Sequence, residues 1–128
     1  DKLWIKPGIV YVAPANYHLL IEHQGSFALS VDEQVNFSRP SIDVMFESAA
    51  CAFGAGLVGI LLSGANQDGA NGLQVIKSMG GLTIAQDPQT AAYPRMPQAA
   101  VDRRAASKVL SPEGIRSLVM NLADAKNR

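Results

Sequence analysis

The spacing of hydrophobic residues predicts a long helix followed by a buried strand in the middle of the chain. Apolar side chains recur at the helical period of 3.6 between Ser41 and Gly54, at Ile42, Met45, Phe46, Ala49, Ala50 and Phe53. Pro40 or Ser41 is expected to start the helix, and Gly54 is a suitable residue to end it. The apolar run at 57–62 predicts a strand buried on both faces, which is typical of a central parallel strand.

A second helix and strand follow at a distance that suits a strand–helix–strand unit. Beyond the polar loop 63–69, the pattern predicts a helix that ends at Gly80-Gly81 and has three inward-facing residues, Leu73, Ile76 and Met79. Residues 82–86 predict the next strand, which a right-handed crossover would place parallel to the first.

The C-terminal quarter of the chain predicts two more helices after a proline-rich loop. The first is short and is expected from Gln98 to about Arg104. The second is capped by Ser111, has Pro112 at its first position, and is expected to bury Ile115, Leu118, Val119 and Leu122.

The first forty residues predict β structure. An apolar, β-branched strand is expected at 8–13, where Pro14 stops it, and a hairpin of two short strands is expected at 18–22 and 27–31. The whole pattern predicts a doubly wound α/β fold. It would have a mostly parallel sheet with helices on both faces and a short antiparallel β excursion near the N-terminus. The 128 residues are long enough for one domain and short for two, so residues 1–128 are expected to form part of a single domain.

Composition excludes several classes of partner and site. Eleven basic residues balance eleven acidic ones, so no electrostatic excess favours binding to nucleic acid or insertion at an anionic membrane. Cys51 is the single cysteine, which predicts a reducing compartment and therefore a cytoplasmic location. His18 and His23 lie five residues apart on a predicted strand without an acidic cluster, so no metal site is expected, and both are interpreted as surface or edge-strand histidines.

The candidate site follows from topology, because parallel sheets bind ligands beyond the carboxyl ends of their strands. Asp68 lies in the first such loop, where its carboxylate would be placed to orient a catalytic imidazole or to cap the helix that follows. The backbone N–H groups of Gly64, Ala65 and Asn66 are candidate donors to an oxyanion. The loop fits neither the P-loop nor the dinucleotide-binding glycine pattern, and no cofactor is expected.

A nucleophile is the missing part of this site. No serine lies in a G-x-S-x-G turn, Ser63 has no evident base, and Cys51 lies among alanines without a basic neighbour to activate its thiol.

Five segments, in order and at matching spacing, resemble the methylesterases of the CheB type. Residues 8–14 resemble G-x-x-Y-x-A-P and are followed by His18-Leu19, residues 39–46 are close to R-P-S-V-D-V-L-F, and residues 63–69 resemble T/S-G-M-G-x-D-G. Thr83-Ile84-Ala85-Gln86 and Met96-Pro97 match T-I-A-Q and G-M-P. The chain departs from these patterns at Ala65-Asn66, where Met-Gly is usual, and at Arg95, where Gly is usual.

The resemblance implies a carboxylic ester hydrolase that removes methyl groups from glutamate side chains on chemoreceptor signalling helices and releases methanol. It implies a serine triad whose acid is Asp68, with Met96 beside the pocket. It also implies that the triad's serine and histidine lie upstream of residue 1, and that a receiver domain regulates some members. On this interpretation residues 1–128 are the C-terminal part of a single methylesterase-like α/β domain, and the chain alone is inactive.

Two alternatives remain open. The chain could be a catalytically degenerate module that binds receptors or regulates them without chemistry. It could also be a structural fragment that associates with itself through the edge of a sheet left unpaired.

Overall fold

The structure, a computed structural model, describes residues 3–126 and contains four α-helices and five strands within that range. In chain order they are β1 (His18–Ile21), β2 (Phe27–Ser30), α1 (Ile42–Phe53), β3 (Val58–Leu61), α2 (Ala70–Ser78), β4 (Leu82–Gln86), α3 (Arg95–Asp102), β5 (Lys108–Leu110) and α4 (Pro112–Lys126). Single 3₁₀ turns cover Gly54–Gly56 and Pro88–Thr90. None of the helices in this range has the length and apolar character needed to cross a bilayer.

The main sheet has the order β3-β4-β5 and all its strands are parallel. Helix α2 packs directly on one face because Gly59 has no side chain: a Cβ there would lie 2.7 Å from Ile76 Cδ1. Helix α4 covers the other face, where Gly114 meets the Leu110 side chain. The predicted α/β fold with helices on both faces is therefore confirmed, and so is the antiparallel excursion, formed by β1 and β2.

Strand β3 is an edge strand, and the prediction that it is central and buried on both faces is wrong for the described residues. Within residues 3–126 it pairs with β4 alone, so no strand pairs with its other edge. Its faces are also not fully buried: Val58 is 38% exposed, and Leu62, just past the strand, is 52% exposed.

The predicted strand at 8–13 is also wrong, because this segment finds no strand to pair with. Val10 and Val12 are exposed, while Tyr11 packs edge-on against Phe27 with ring centroids 4.8 Å apart. The backbone that pairs with the hairpin lies earlier: Phe27 N–H donates to Leu3 O, and Ile5 N–H donates to the carbonyl of the hairpin turn.

The later elements agree with prediction in type and differ in their limits. Helix α3 begins at Arg95 rather than Gln98, because a proline is tolerated in the first turn of a helix, where N–H groups have no intrahelical acceptor. Strand β5 has three residues, too few to give a hydrophobic pattern, and was not predicted. Three side chains predicted to face inward, Met79, Val119 and Leu122, are exposed in the structure.

Candidate functional site

Asp68 is buried, with 2% of its surface exposed, and its carboxylate accepts hydrogen bonds from four donors. Oδ1 accepts from Ser41 Oγ at 2.8 Å, from Asn36 Nδ2 at 3.1 Å and from the backbone of Asp43 at 3.2 Å. Oδ2 accepts from the backbone N–H of Ile42 at 2.6 Å. The carboxylate is thus fixed in orientation by a loop and by the start of α1.

Asp68 therefore caps a helix, but not the helix that follows it. The N-cap position of α2 is Gly69, whose φ of 104° requires glycine and which has no side chain to cap the helix. Asp68 instead accepts the N–H groups of the first two residues of α1, where the helix macrodipole also favours an anion. The sequence interpretation that Asp68 caps a helix is correct, but it assigned the cap to α2 instead of α1.

A second buried carboxylate, Asp43, is linked to Asp68 through a single side chain. Asn36 Nδ2 donates to Asp43 Oδ2 at 2.8 Å as well as to Asp68 Oδ1. Both acceptors are carboxylates, so the amide must present its NH₂ group to them. Asp43 Oδ1 in turn accepts the N–H of Gly72 at 2.7 Å, which ties α2 to α1 beside Asp68.

His18 and Ser41 lie next to Asp68, yet the three do not form a serine triad. Ser41 Oγ donates to the carboxylate and accepts the N–H of Val44 at 3.5 Å, as an N-cap does. His18 Nδ1 accepts the backbone N–H of Ser41, so Nε2 carries the proton and donates to Glu33 O at 2.8 Å. The imidazole reaches neither the hydroxyl nor the carboxylate, and it is not a base for this serine.

The interpretation of both histidines as surface or edge-strand residues needs one correction. His18 is on the edge strand β1 but is only 1% exposed, because its two ring nitrogens bridge the start of α1 and the loop before it. His23 is exposed, as predicted. Cys51, interpreted from the sequence as a small structural residue, is exposed on α1.

The loop after β3 brings the other predicted residues close to Asp68. Gly64 N–H donates to Tyr93 O, and Gly64 O accepts the N–H of Met96. Met96 covers Gly64 so closely that a Cβ there would lie 2.6 Å from Met96 Cε. The N–H groups of Ala65 and Asn66 have no acceptor among residues 3–126. Of the three candidate oxyanion donors, these two are therefore available, whereas that of Gly64 is already used.

Asn66 also supports Asp68 directly. Its Oδ1 accepts the N–H of Asp68 at 2.9 Å, and its Nδ2 donates to Ser38 Oγ at 3.2 Å. The residues that sequence reasoning missed at this site are Asn36 and His18, which lie outside the two strand-end loops. Ser41 and Asp43 had a signal, since both fall in the R-P-S-x-D segment, but they were assigned only to the start of a helix. No group of three potential metal ligands occurs in the part of the chain that the structure describes.

Comparison with known proteins decides the family. The sequence profile of the CheB methylesterase domain matches residues 1–119. The chain belongs to the CheB methylesterase family. A putative protein-glutamate methylesterase/protein-glutamine glutaminase of Leptospira interrogans is 52% identical over 122 residues, which are 95% of this chain and 63% of the relative. The protein-glutamate methylesterase FrzG of Myxococcus xanthus is 39% identical over 92% of this chain and 35% of its own length.

The fold agrees with this family. The crystal structure of the Thermotoga maritima CheB methylesterase catalytic domain superposes with a TM-score of 0.90 at 30% sequence identity, covering 95% of this chain and 66% of that one. This chain therefore spans less than two thirds of the length of the Leptospira relative and of the Thermotoga domain.

Proposed function

We propose that Asp68 is the acid of a serine triad in a protein-glutamate methylesterase whose serine and histidine are supplied from outside these 128 residues. The observation that carries this proposal is the unequal use of the two carboxylate oxygens. Oδ1 accepts three hydrogen bonds, whereas Oδ2 accepts one. Three donors share the two lone-pair directions of Oδ1 and leave none open, whereas Oδ2, with a single donor, keeps one direction for the N–H of an imidazole.

The proposed chemistry is acyl transfer. The serine hydroxyl attacks the carbonyl of the glutamate methyl ester while the histidine takes its proton and then gives it to the departing methoxide, which leaves as methanol. Water hydrolyses the acyl-enzyme by the same sequence. Asp68 holds the imidazole in the required tautomer and stabilises its cation, and the N–H groups of Ala65 and Asn66 are placed to donate to the oxyanion.

The open side of β3 is the place where such a segment would join this chain. A hollow of about 260 Å³ lies there and is lined mainly by apolar side chains, with one hydroxyl: Ile42, Met45, Phe46, Ile60, Leu61, Leu62, Ser63 and Met96. The four donors around Asp68, from Asn36, Ser41, Ile42 and Asp43, form a cradle for its carboxylate. Ile42 belongs both to this hollow and to the cradle, so a segment that fills the hollow would lie beside the cradle.

The chain alone should therefore be inactive. Serine and histidine act as a unit, and removing either leaves only a small residual acceleration. We would assay methanol release from a methylated receptor with the chain alone and with the chain completed by the unmatched part of the Leptospira relative. Activity in the completed protein that falls about 10³- to 10⁴-fold in Asp68→Asn supports the proposal. Activity of the chain alone, or a fully active Asp68→Asn variant that remains folded, would contradict it.

Hydrolysis of glutamine side chains is a second reaction for the same site. The Leptospira relative bears the name of both activities. An amide passes through the same tetrahedral intermediate with ammonia as the leaving group, so the histidine that protonates methoxide would protonate the amine. Ammonia release from a receptor peptide that carries glutamine at the modified position tests this reaction in parallel.

The partners proposed for the intact protein are methylated chemoreceptor helices and, in proteins that carry one, a receiver domain. A cytoplasmic location is proposed with them, because the receptor's signalling helices must be within reach. A completed protein that binds the receptor but releases neither methanol nor ammonia would instead favour the degenerate receptor-binding module.

A further inference from the structure

A second hollow opens beside Asp68. It measures about 190 Å³ and is lined by Asn36, Phe37, Asn66, Gln67 and Arg95. Two of these residues contact Asp68 itself: Asn36 Nδ2 donates to the carboxylate, and Asn66 Oδ1 accepts the backbone N–H. The hollow therefore shares its wall with the cradle of the proposed triad acid.

The lining of this hollow favours an anion. It contains one guanidinium, three amides, one aromatic ring and no acidic side chain. The amide NH₂ groups of Asn36 and Asn66 are already donated, but the side chains of Arg95 and Gln67 have no hydrogen bond or ion pair within residues 3–126. The carboxylate of Asp68 lies behind this wall and accepts hydrogen bonds from four donors. Arg95 is therefore a cation of the hollow that has no partner within residues 3–126.

Phe37 forms an apolar rim at the mouth. It is 95% exposed and has a φ of 63°, next to Asn36 with a φ of 52°, in a tight turn where Val35 and Ser38 exchange backbone hydrogen bonds. Glycine is the usual second residue of such a turn, and a bulky side chain with positive φ is strained. Strain of this kind concentrates at functional sites. Here it holds an aromatic ring in solvent, beside the hollow.

Two of the chain's three departures from the family pattern lie in this hollow. Asn66 and Arg95 both stand where the resembling motifs have glycine, and they line the same space although they are far apart in the sequence. A glycine at either position would remove a polar side chain from this wall. The polar lining of the hollow therefore depends on positions at which this chain differs from the family motif.

We propose that this hollow is a specificity subsite that takes an acidic side chain of the substrate peptide close to the modified glutamate. Arg95 forms the ion pair, with the Gln67 amide as a second donor, and the Phe37 ring packs against the methylenes of the acidic side chain. This inference rests on the proposed function, because it takes the reacting ester to lie beside the triad to which Asp68 belongs.

Peptide binding tests the subsite separately from chemistry. The probes are two helical peptides with glutamine at the modified position, one with glutamate and one with glutamine at the neighbouring position, titrated into the 128-residue chain and followed by amide chemical shifts. We expect the glutamate peptide to bind about three- to tenfold more tightly at low salt, as for one partly exposed charged contact. In Arg95→Gln the ratio should fall to about one, whereas Arg103→Gln, an exposed arginine at the other end of α3, should keep it.

The outcomes separate the possible failures. Equal binding of the two peptides, or an unchanged ratio in Arg95→Gln, overturns the subsite. Free glutarate that shifts the same residues and competes as strongly as the acidic peptide shows an anion site that is independent of substrate, and also overturns it. If the preference is present in binding but the completed protein hydrolyses neither ester nor amide, the subsite stands and the proposed chemistry fails.

Discussion

Replacing Asp68 by asparagine should destabilise this chain strongly, even without any catalytic partner. The amide oxygen would take the place of Oδ1 and keep three donors, which leaves the NH₂ group facing the backbone N–H of Ile42. A charged hydrogen bond contributes about 1.5–3 kcal/mol, and a partly buried anion at a helix N-terminus adds about 1 kcal/mol. The free energy of unfolding should therefore fall by about 3 kcal/mol, a large share of the ~5–15 kcal/mol typical of a domain.

Urea unfolding followed by far-ultraviolet circular dichroism measures this loss. With a slope of about 1–3 kcal/mol per molar, a loss of about 3 kcal/mol should lower the midpoint by about 1–3 M. Asp124→Asn is the matched control: it is the same substitution at an exposed position of α4 and should cost less than about 0.5 kcal/mol. If the free energy of unfolding of Asp68→Asn lies within ~0.5 kcal/mol of that of the parent chain, the four donors do not hold the carboxylate as described.

Three further changes test other parts of the fold. Gly72→Ala should lower the free energy of unfolding by about 1–3 kcal/mol although alanine favours helices, because its Cβ would lie 2.6 Å from the Phe46 side chain of α1. Gly114→Ala is the control: its nearest contact is 3.3 Å, so it should cost far less in the same urea assay. His18→Leu leaves the buried N–H of Ser41 and the partly buried carbonyl of Glu33 unpaired and should cost about 1–3 kcal/mol, whereas His23→Leu should be nearly neutral. Equal effects of the two substitutions would refute the buried role of His18. Partial burial, with the neighbouring Asp43 carboxylate, raises the pKa of Glu47 above its ordinary value of 4.5. The charged form of Glu47 therefore destabilises the folded state at neutral pH, and this destabilisation disappears as the pH falls through the raised pKa towards 4.5. Glu47→Gln should therefore raise the melting temperature at neutral pH, and the gain should shrink towards pH 4.5; a gain that is independent of pH would contradict this assignment.

Sequence reasoning succeeded where a signal was local. The period of α1, its cap at Ser41 and its end at Gly54 are all written within fourteen consecutive residues, and the structure reproduces them. Strand β4 was predicted to the residue, since glycines precede it and an Asp-Pro pair follows it. The strand predicted at 8–13 failed because a strand also needs a neighbour to pair with, and the sequence of one segment does not say whether a neighbour exists.

The site shows the same division. Asp68 and the loop 63–69 could be predicted because strand ends of a parallel sheet converge. The donors that orient Asp68 could not, since Asn36 lies 32 residues away and reaches the carboxylate only through a turn with two positive φ angles. No pattern in the sequence around Asn36 indicates that turn, because its second position is Phe37 rather than glycine.

The cap and catalytic interpretations of Asp68 do not exclude each other in the sequence, and the geometry shows how one carboxylate can serve both roles. All four donors to the carboxylate come from residues 36–43, within this chain, so its orientation does not depend on the serine or the histidine. The three bonds to Oδ1 fix the plane of the group, and the single bond to Oδ2 leaves one acceptor direction open. A triad acid acts mainly by orienting its histidine. A carboxylate that a helix N-terminus already holds in a fixed orientation therefore meets this requirement without the histidine.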